Sequence, residues 1–190
     1  MTELIEFETE RLRLRQWKSA DRAPFAALND DPRVMEYFPS RLSRAESDTM
    51  ADCCESLIRE RGWGPWATEL KENGEFIGVV GLHAPEEQFP FSPCVEILWR
   101  LAFEHWRKGL ATEAAKEALR IGFQRLGLAE IVSFTAVNNR RSRAVMERLG
   151  MTESGLFEHP SVPEESGLRL HCLYRVVRNR KSVGMMMGEV

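Results

Sequence analysis

Residues Trp106-Arg107-Lys108-Gly109-Leu110-Ala111-Thr112-Glu113 open the most amphipathic helical segment of the chain, directly after a strand-like run at 95–101. A helix start presents unpaired backbone N–H groups and the positive end of the helix dipole, which together bind phosphate. Gly109 lets the backbone approach a ligand closely, and Ala111 keeps the next turn uncluttered. A second polar constellation follows further along, Asn139-Arg140-Arg141-Ser142 and then Leu149-Gly150-Met151. Asn139 offers a donor and an acceptor, and Ser142 a hydroxyl. The same two residues suit the cap of a helix beginning near Arg141. A P-loop is excluded, because no GxxxxGK[ST] occurs.

The elements that must position these residues are legible in outline. Residues 11–15 alternate, with Leu12 and Leu14 on one face, and read as an edge strand. A helix follows from about Ser19, with Ser19 and Asp21 as caps and Pro24 in its first turn. Residues 46–61 repeat apolar side chains at helical spacing, with a Ser43–Glu46 capping box before them and Gly62 as the stop. Asn73-Gly74 closes a hairpin between strands at 66–70 and 76–82. Residues 84–93 hold three prolines and read as a loop. Then come a strand at 95–101, a helix at 112–126, a strand at 131–137, a helix at 141–149 and strands at 153–157 and 168–177. This order predicts an α/β fold whose mixed sheet carries helices on both faces.

Composition bounds the function. The chain has 190 residues, 43% hydrophobic and 29% charged, which suits one globular domain over 1–180 with a flexible tail at 181–190. A net charge of -3 argues against nucleic-acid binding, which calls for a basic surface. No apolar run approaches the ~20 residues of a membrane helix, and the acidic start lacks a signal peptide's pattern, so a cytoplasmic location is expected. The four cysteines make no metal or disulfide framework. Cys53 and Cys54 are adjacent, hence roughly 100° apart on a helix.

Together the two constellations resemble the acetyl-CoA site of the GNAT N-acetyltransferases, most closely their ribosomal-protein N-terminal acetyltransferase-like branch. The resemblance runs over 7–178, including the closing pattern His159-Pro160, Pro163, Leu168-Arg169, His171 and Leu173-Tyr174-Arg175. It implies a mostly antiparallel sheet of about six to seven strands, and transfer of an acetyl group from acetyl-CoA to an amine without a metal. The backbone of Arg107, Lys108, Gly109, Leu110, Ala111 and Thr112 is expected at the pyrophosphate. Leu101, Ala102 and Phe103 are expected to pair with the pantetheine arm, and Asn139 and Ser142 to contact it further on. Arg140, Arg141 and Arg143 are candidates for the ribose 3′-phosphate.

The incoming amine must lose a proton and the leaving thiolate benefits from gaining one. Glu96 is the candidate base, set by alternation on the face opposite Val95, Ile97, Trp99 and Leu101; ion pairing with Arg100 is the structural alternative. Glu69, His83 and His171 are further candidates. Many family members carry a tyrosine acid where this chain has Met146, so Ser142 is the expected donor, with Tyr174 second. Trp106 also departs from the family's usual Gln or Arg. The acceptor is expected to be a protein N-terminus, a polyamine-like or aminoglycoside amine, or an amino acid, selected by loops at 29–43, 84–93 and 158–167. A non-catalytic acyl-CoA-binding or sensing module on the same fold is the alternative reading. The oligomeric expectation is monomer or homodimer.

Overall fold

The computed structural model describes residues 3–178, so the tail expected at 181–190 lies outside the described residues. One eight-stranded sheet organises the chain. In chain order come β1 (Phe7–Glu8), β2 (Leu12–Arg15), a 3-10 turn (Ser19–Asp21), α1 (Arg22–Asp30), α2 (Arg44–Arg61), β3 (Pro65–Leu70) and β4 (Phe76–His83). Then follow β5 (Glu96–Leu101), a 3-10 turn (Phe103–His105), α3 (Leu110–Gln124), β6 (Glu130–Ala136), α4 (Arg140–Arg148), β7 (Thr152–Glu158) and β8 (Leu170–Val177). The spatial order is β1-β2-β3-β4-β5-β6-β8-β7. Every neighbouring pair is antiparallel except β5 with β6, which α3 joins as a crossover.

Local signals hold where they are made by near neighbours. Ser43 and Glu46 cap α2 reciprocally, with Glu46 N–H on Ser43 Oγ at 3.3 Å and Ser43 N–H on Glu46 Oε2 at 2.7 Å. Gly62 ends α2 in the left-handed region at φ 82. Two expectations change. The strand expected at the edge is the second strand, because β1 pairs Phe7 with Leu14 and Glu8 with Arg13. Ile5 anchors that segment, donating to Gly62 O at 2.7 Å and accepting from Trp66 Nε1 at 2.7 Å. The sheet therefore has eight strands rather than six or seven, β1 being too short for an alternating pattern to reveal.

The two faces of the sheet have different tenants. A Cβ on Gly122 of α3 would lie 2.6 Å from Ile131 Cδ1 and 3.2 Å from Leu82 Cδ1, so Leu82 and Ile131 point toward α3. Strand alternation sends their neighbours His83 and Val132 to the opposite face. Arg100 on β5 meets Asn29 of α1 and Met50 of α2 there. Glu96, Leu98 and Arg100 thus share the α1/α2 face, while Ile97, Trp99 and Leu101 face α3.

Candidate active site

β5 and β6 touch at one end and part at the other. Their register consists of one pair, Glu96 with Val132. Val132 N–H reaches Val95 O at 2.9 Å, and the buried Ser133 hydroxyl donates to Ile97 O at 2.9 Å. Beyond that point both strands continue without pairing. Ala102 N–H bonds to Ile77 O at 2.9 Å, so even-numbered β5 residues serve β4. The backbone groups of Trp99 and Leu101 therefore point into the opening between β5 and β6.

Six consecutive N–H groups, at 107–112, line the turn from this opening into α3, and none has an acceptor among the described residues. Arg107 at φ 61 and Gly109 at φ 79 are both left-handed, which turns successive N–H groups to a common side. The loop is held from behind. Arg11 gives Nη1 to Lys108 O at 3.0 Å and Nε to Glu113 Oε2 at 2.7 Å, and Thr9 Oγ1 donates to Glu113 Oε1 at 2.6 Å. Glu113 thereby ties the first turn of α3 to the turn between β1 and β2. A row of free donors at a helix N-terminus fits a pyrophosphate, and the open strand edge fits an amide-bearing arm.

Not every expected contact has free groups. The carbonyls of Ala102 and Phe103 accept from His105 N–H at 3.0 Å and Trp106 N–H at 3.1 Å. The Leu101 carbonyl accepts from the Trp106 indole at 2.8 Å. Trp99 and the Leu101 N–H supply the free edge instead, one pleat earlier than expected. Asn139 spends its side chain locally: Oδ1 accepts from Ser142 N–H at 3.2 Å, and Nδ2 donates to Thr135 Oγ1 at 2.9 Å and Ser142 Oγ at 3.1 Å. It caps α4 and orients Ser142. Ser142 Oγ accepts from Asn139 and makes no donor bond among the described residues, which leaves its proton free of them. Met146, one turn further on the same helix face, is 1% exposed and belongs to the core.

The arginines divide. Arg141 pairs with Glu36 and stacks on Trp106 at 4.8 Å and Tyr37 at 5.3 Å. Arg143 reaches Glu153 at 2.9 Å, Val137 O at 3.2 Å and the Tyr174 hydroxyl at 3.3 Å. Of the three candidates for the ribose phosphate, only Arg140 has a side chain that makes no hydrogen bond or ion pair among the described residues, its backbone N–H reaching Asn138 O at 2.9 Å. Tyr174 is buried and its hydroxyl lies 3.3 Å from Glu153 and 3.4 Å from Glu147, in a network behind α4. Burial pushes its pKa up.

Glu96 sits at the apex of the opening, on the α1/α2 face. It is directly opposite His83 on β4 and Val132 on β6. It makes no hydrogen bond or ion pair among the described residues. Desolvation, and secondarily the charge of Glu87, push its carboxyl up to about 8. Val132, opposite it, belongs to an apolar cluster with the rings of Phe89, Phe91, Phe134 and Phe157, which pack against His159 and His171. His83 and His171 are both pushed down by burial, and His171 Nδ1 lies 3.1 Å from Arg169 O. The other carboxylate candidate, Glu69, is buried in an ion network with Arg15 at 2.6 Å, Arg13 at 3.0 Å and Lys18 at 3.2 Å. Burial raises its pKa, but those cations outweigh burial and hold it low. Arg100 is no partner for Glu96: four strand residues separate their Cα atoms by about 13 Å.

A mixed sheet opened at one parallel pair, with a free row of N–H groups at the following helix, fits an acyl-CoA-dependent transferase. The comparisons agree. The acetyltransferase (GNAT) domain model matches residues 11–152, and the chain belongs to the GNAT family of N-acetyltransferases. It is 29% identical over 151 residues to the uncharacterized N-acetyltransferase YoaA of Bacillus subtilis, covering 78% of this chain and 84% of that one. YdaF of the same organism, provisionally named a ribosomal N-acetyltransferase, is 32% identical over 152 residues, with 76% and 78% covered. An acetyltransferase of Agrobacterium tumefaciens superposes with a TM-score of 0.74 at 27% identity, covering 94% of this chain and 97% of that one. Among the described residues no helix is long and apolar enough to cross a membrane, and no cluster of metal-ligating side chains occurs.

Proposed function

We propose that this chain acetylates a primary amine, either a protein N-terminus or a small-molecule amine, with Glu96 as base and Ser142 as proton donor. The observation that carries the reading is the unpartnered N–H row at 107–112, which opens beside the free edge of β5. Bound acetyl-CoA supplies the acetyl group as a thioester; the chain's own residues do the rest. The N–H groups at 107–112 hold the pyrophosphate, and Trp99 and Leu101 offer backbone donors and acceptors to the pantetheine arm. The phosphate row belongs to the start of α3, whereas Glu96 faces α1 and α2. The amine therefore approaches from the α1/α2 face.

Glu96 takes the amine's proton when ionised, which its raised pKa restricts to about pH 8 and above. The free hydroxyl proton of Ser142 serves the developing negative charge on the other side of the opening. Thiol release from acetyl-CoA across a panel of amines and N-terminal peptides tests the reading. Acceleration by at least one amine supports it. Acetyl-CoA binding by calorimetry with no acceleration by any amine sinks it.

A further inference from the structure

Arg100 carries a charge that no carboxylate among the described residues answers. Its guanidinium is fixed by three neighbours. Nη1 donates to Asn29 Oδ1 at 2.6 Å and lies 3.7 Å from Met50 Sδ, and the group stacks on the Phe38 ring at 4.2 Å. Asn29 is fully buried and donates Nδ2 to Ser47 Oγ at 2.8 Å, which aims its oxygen at Arg100. Among the described residues Nε is enclosed without an acceptor, and Nη2 makes no hydrogen bond. Nε and Nη2 form the edge on which a carboxylate binds through two parallel hydrogen bonds.

A half-buried cation without a counter-charge is costly, and apolar residues would fill this space more cheaply. Desolvation pulls Arg100 down to about 10, which still leaves it charged at neutral pH. Its place is equally specific. It stands on the α1/α2 face of β5, the side from which the amine approaches in the function proposed above, on which this inference rests. Phe38, 36% exposed, is the outer wall over the guanidinium, so an anion reaching Nε displaces that ring.

We propose that Arg100 binds a carboxylate of the acceptor. The substrate class is then an amine that also bears a carboxylate, as in a free amino acid or a peptide with an acidic residue near its N-terminus. Polyamines and aminoglycosides are disfavoured, because their additional cations would face Arg100.

Matched acceptors test this with the whole chain: an amino acid against its amide, and an acidic N-terminal peptide against its amide-side-chain counterpart. The expected wild-type preference for the carboxylate is roughly 10- to 100-fold in kcat/KM, the range for a hydrogen-bonded charge. Arg100→Met should bring that ratio close to one, and Arg100→Lys, which keeps charge but loses the fork, should lower it partway. A preference confined to the amino-acid pair identifies a small acceptor, and one confined to the peptide pair an acidic N-terminus. Equal kcat/KM within both wild-type pairs overturns the inference, with no dependence on whether any variant folds. So does an undiminished preference in Arg100→Met. Acetyl-CoA binding without thiol release for any amine is a different pattern, and removes the primary-amine reading beneath it.

Discussion

The proton-handling side chains act through what their surroundings leave them. Glu96 lacks a hydrogen-bonding partner among the described residues, and its raised pKa has two consequences. In catalysis, wild-type kcat/KM should rise through about pH 8, and Glu96→Gln should lower the rate near pH 7–8 yet approach wild type where the free amine is abundant. An equal loss at every pH would assign Glu96 a structural role. In stability, the folded pKa of about 8 lies above the unfolded value near 4.5, so the native state binds more protons between those pH values. Stability therefore falls as pH rises through that window, with a slope no steeper than about 1.4 kcal/mol per pH unit. Glu96→Gln should remove that slope in denaturant melts taken from pH 5 to 8. Ser142 has a free hydroxyl proton and an oriented oxygen. Ser142→Ala should cut kcat by roughly 10- to 1,000-fold with a smaller change in acetyl-CoA affinity. Loss of affinity with kcat intact would make Ser142 a binding residue.

At the scale of elements, the junction between β5 and α3 concentrates the unusual backbone. Gly109 caps α3 at φ 79, and a Cβ there would meet only Arg11 Nη2 at 3.6 Å. Space is open, so Gly109→Val acts through backbone strain and by covering the adjacent N–H groups. Isothermal calorimetry should show weakened acetyl-CoA binding, and melts a loss of about 1–2 kcal/mol from the left-handed conformation. Unchanged affinity would remove the phosphate from this turn. The cap of α2 provides a contrast. Ser43→Ala breaks the capping box, whose bonds all lie within residues 43–46, and should cost about 1 kcal/mol in melts, with acetyl-CoA affinity kept. Segment 31–38 belongs to this scale too, since Arg33 stacks on Phe103 at 4.0 Å and Glu36 pairs with Arg141. It links the end of β5 to α4 across the opening.

For the molecule as a whole, the opening exists because a parallel pair sits inside an otherwise antiparallel sheet. Its crossover helix lies close to the sheet through Gly122. Gly122→Leu should drive a side chain into Ile131 and Leu82 and destabilise the fold by about 1–3 kcal/mol, the usual range for overpacking. Because α3 spans β4, β5 and β6, acetyl-CoA affinity should fall along with the melting temperature. A stable variant with normal affinity would show that α3 can shift without disturbing the opening.

The sequence by itself determined what near neighbours decide. Ser43 with Glu46, Gly62, Asn73-Gly74 and Gly109 each set a cap, stop or turn through their own backbone preferences, so helix ends and hairpins were readable. The turn proposed to hold phosphate could be located for the same reason, since it consists of consecutive residues at a helix start. Pairing across long separations was not. β1 has two residues and no period, and its place on β2 depends on Ile5 meeting Gly62 and Trp66. Only the fold set His83 opposite Glu96. Arg100 shows the division most plainly. In sequence it was a charge four residues from Glu96, whereas in the structure the strand keeps the two apart. Desolvation and Asn29 from α1 then leave one edge of its guanidinium without a partner, and such a vacancy depends on which distant residues arrive.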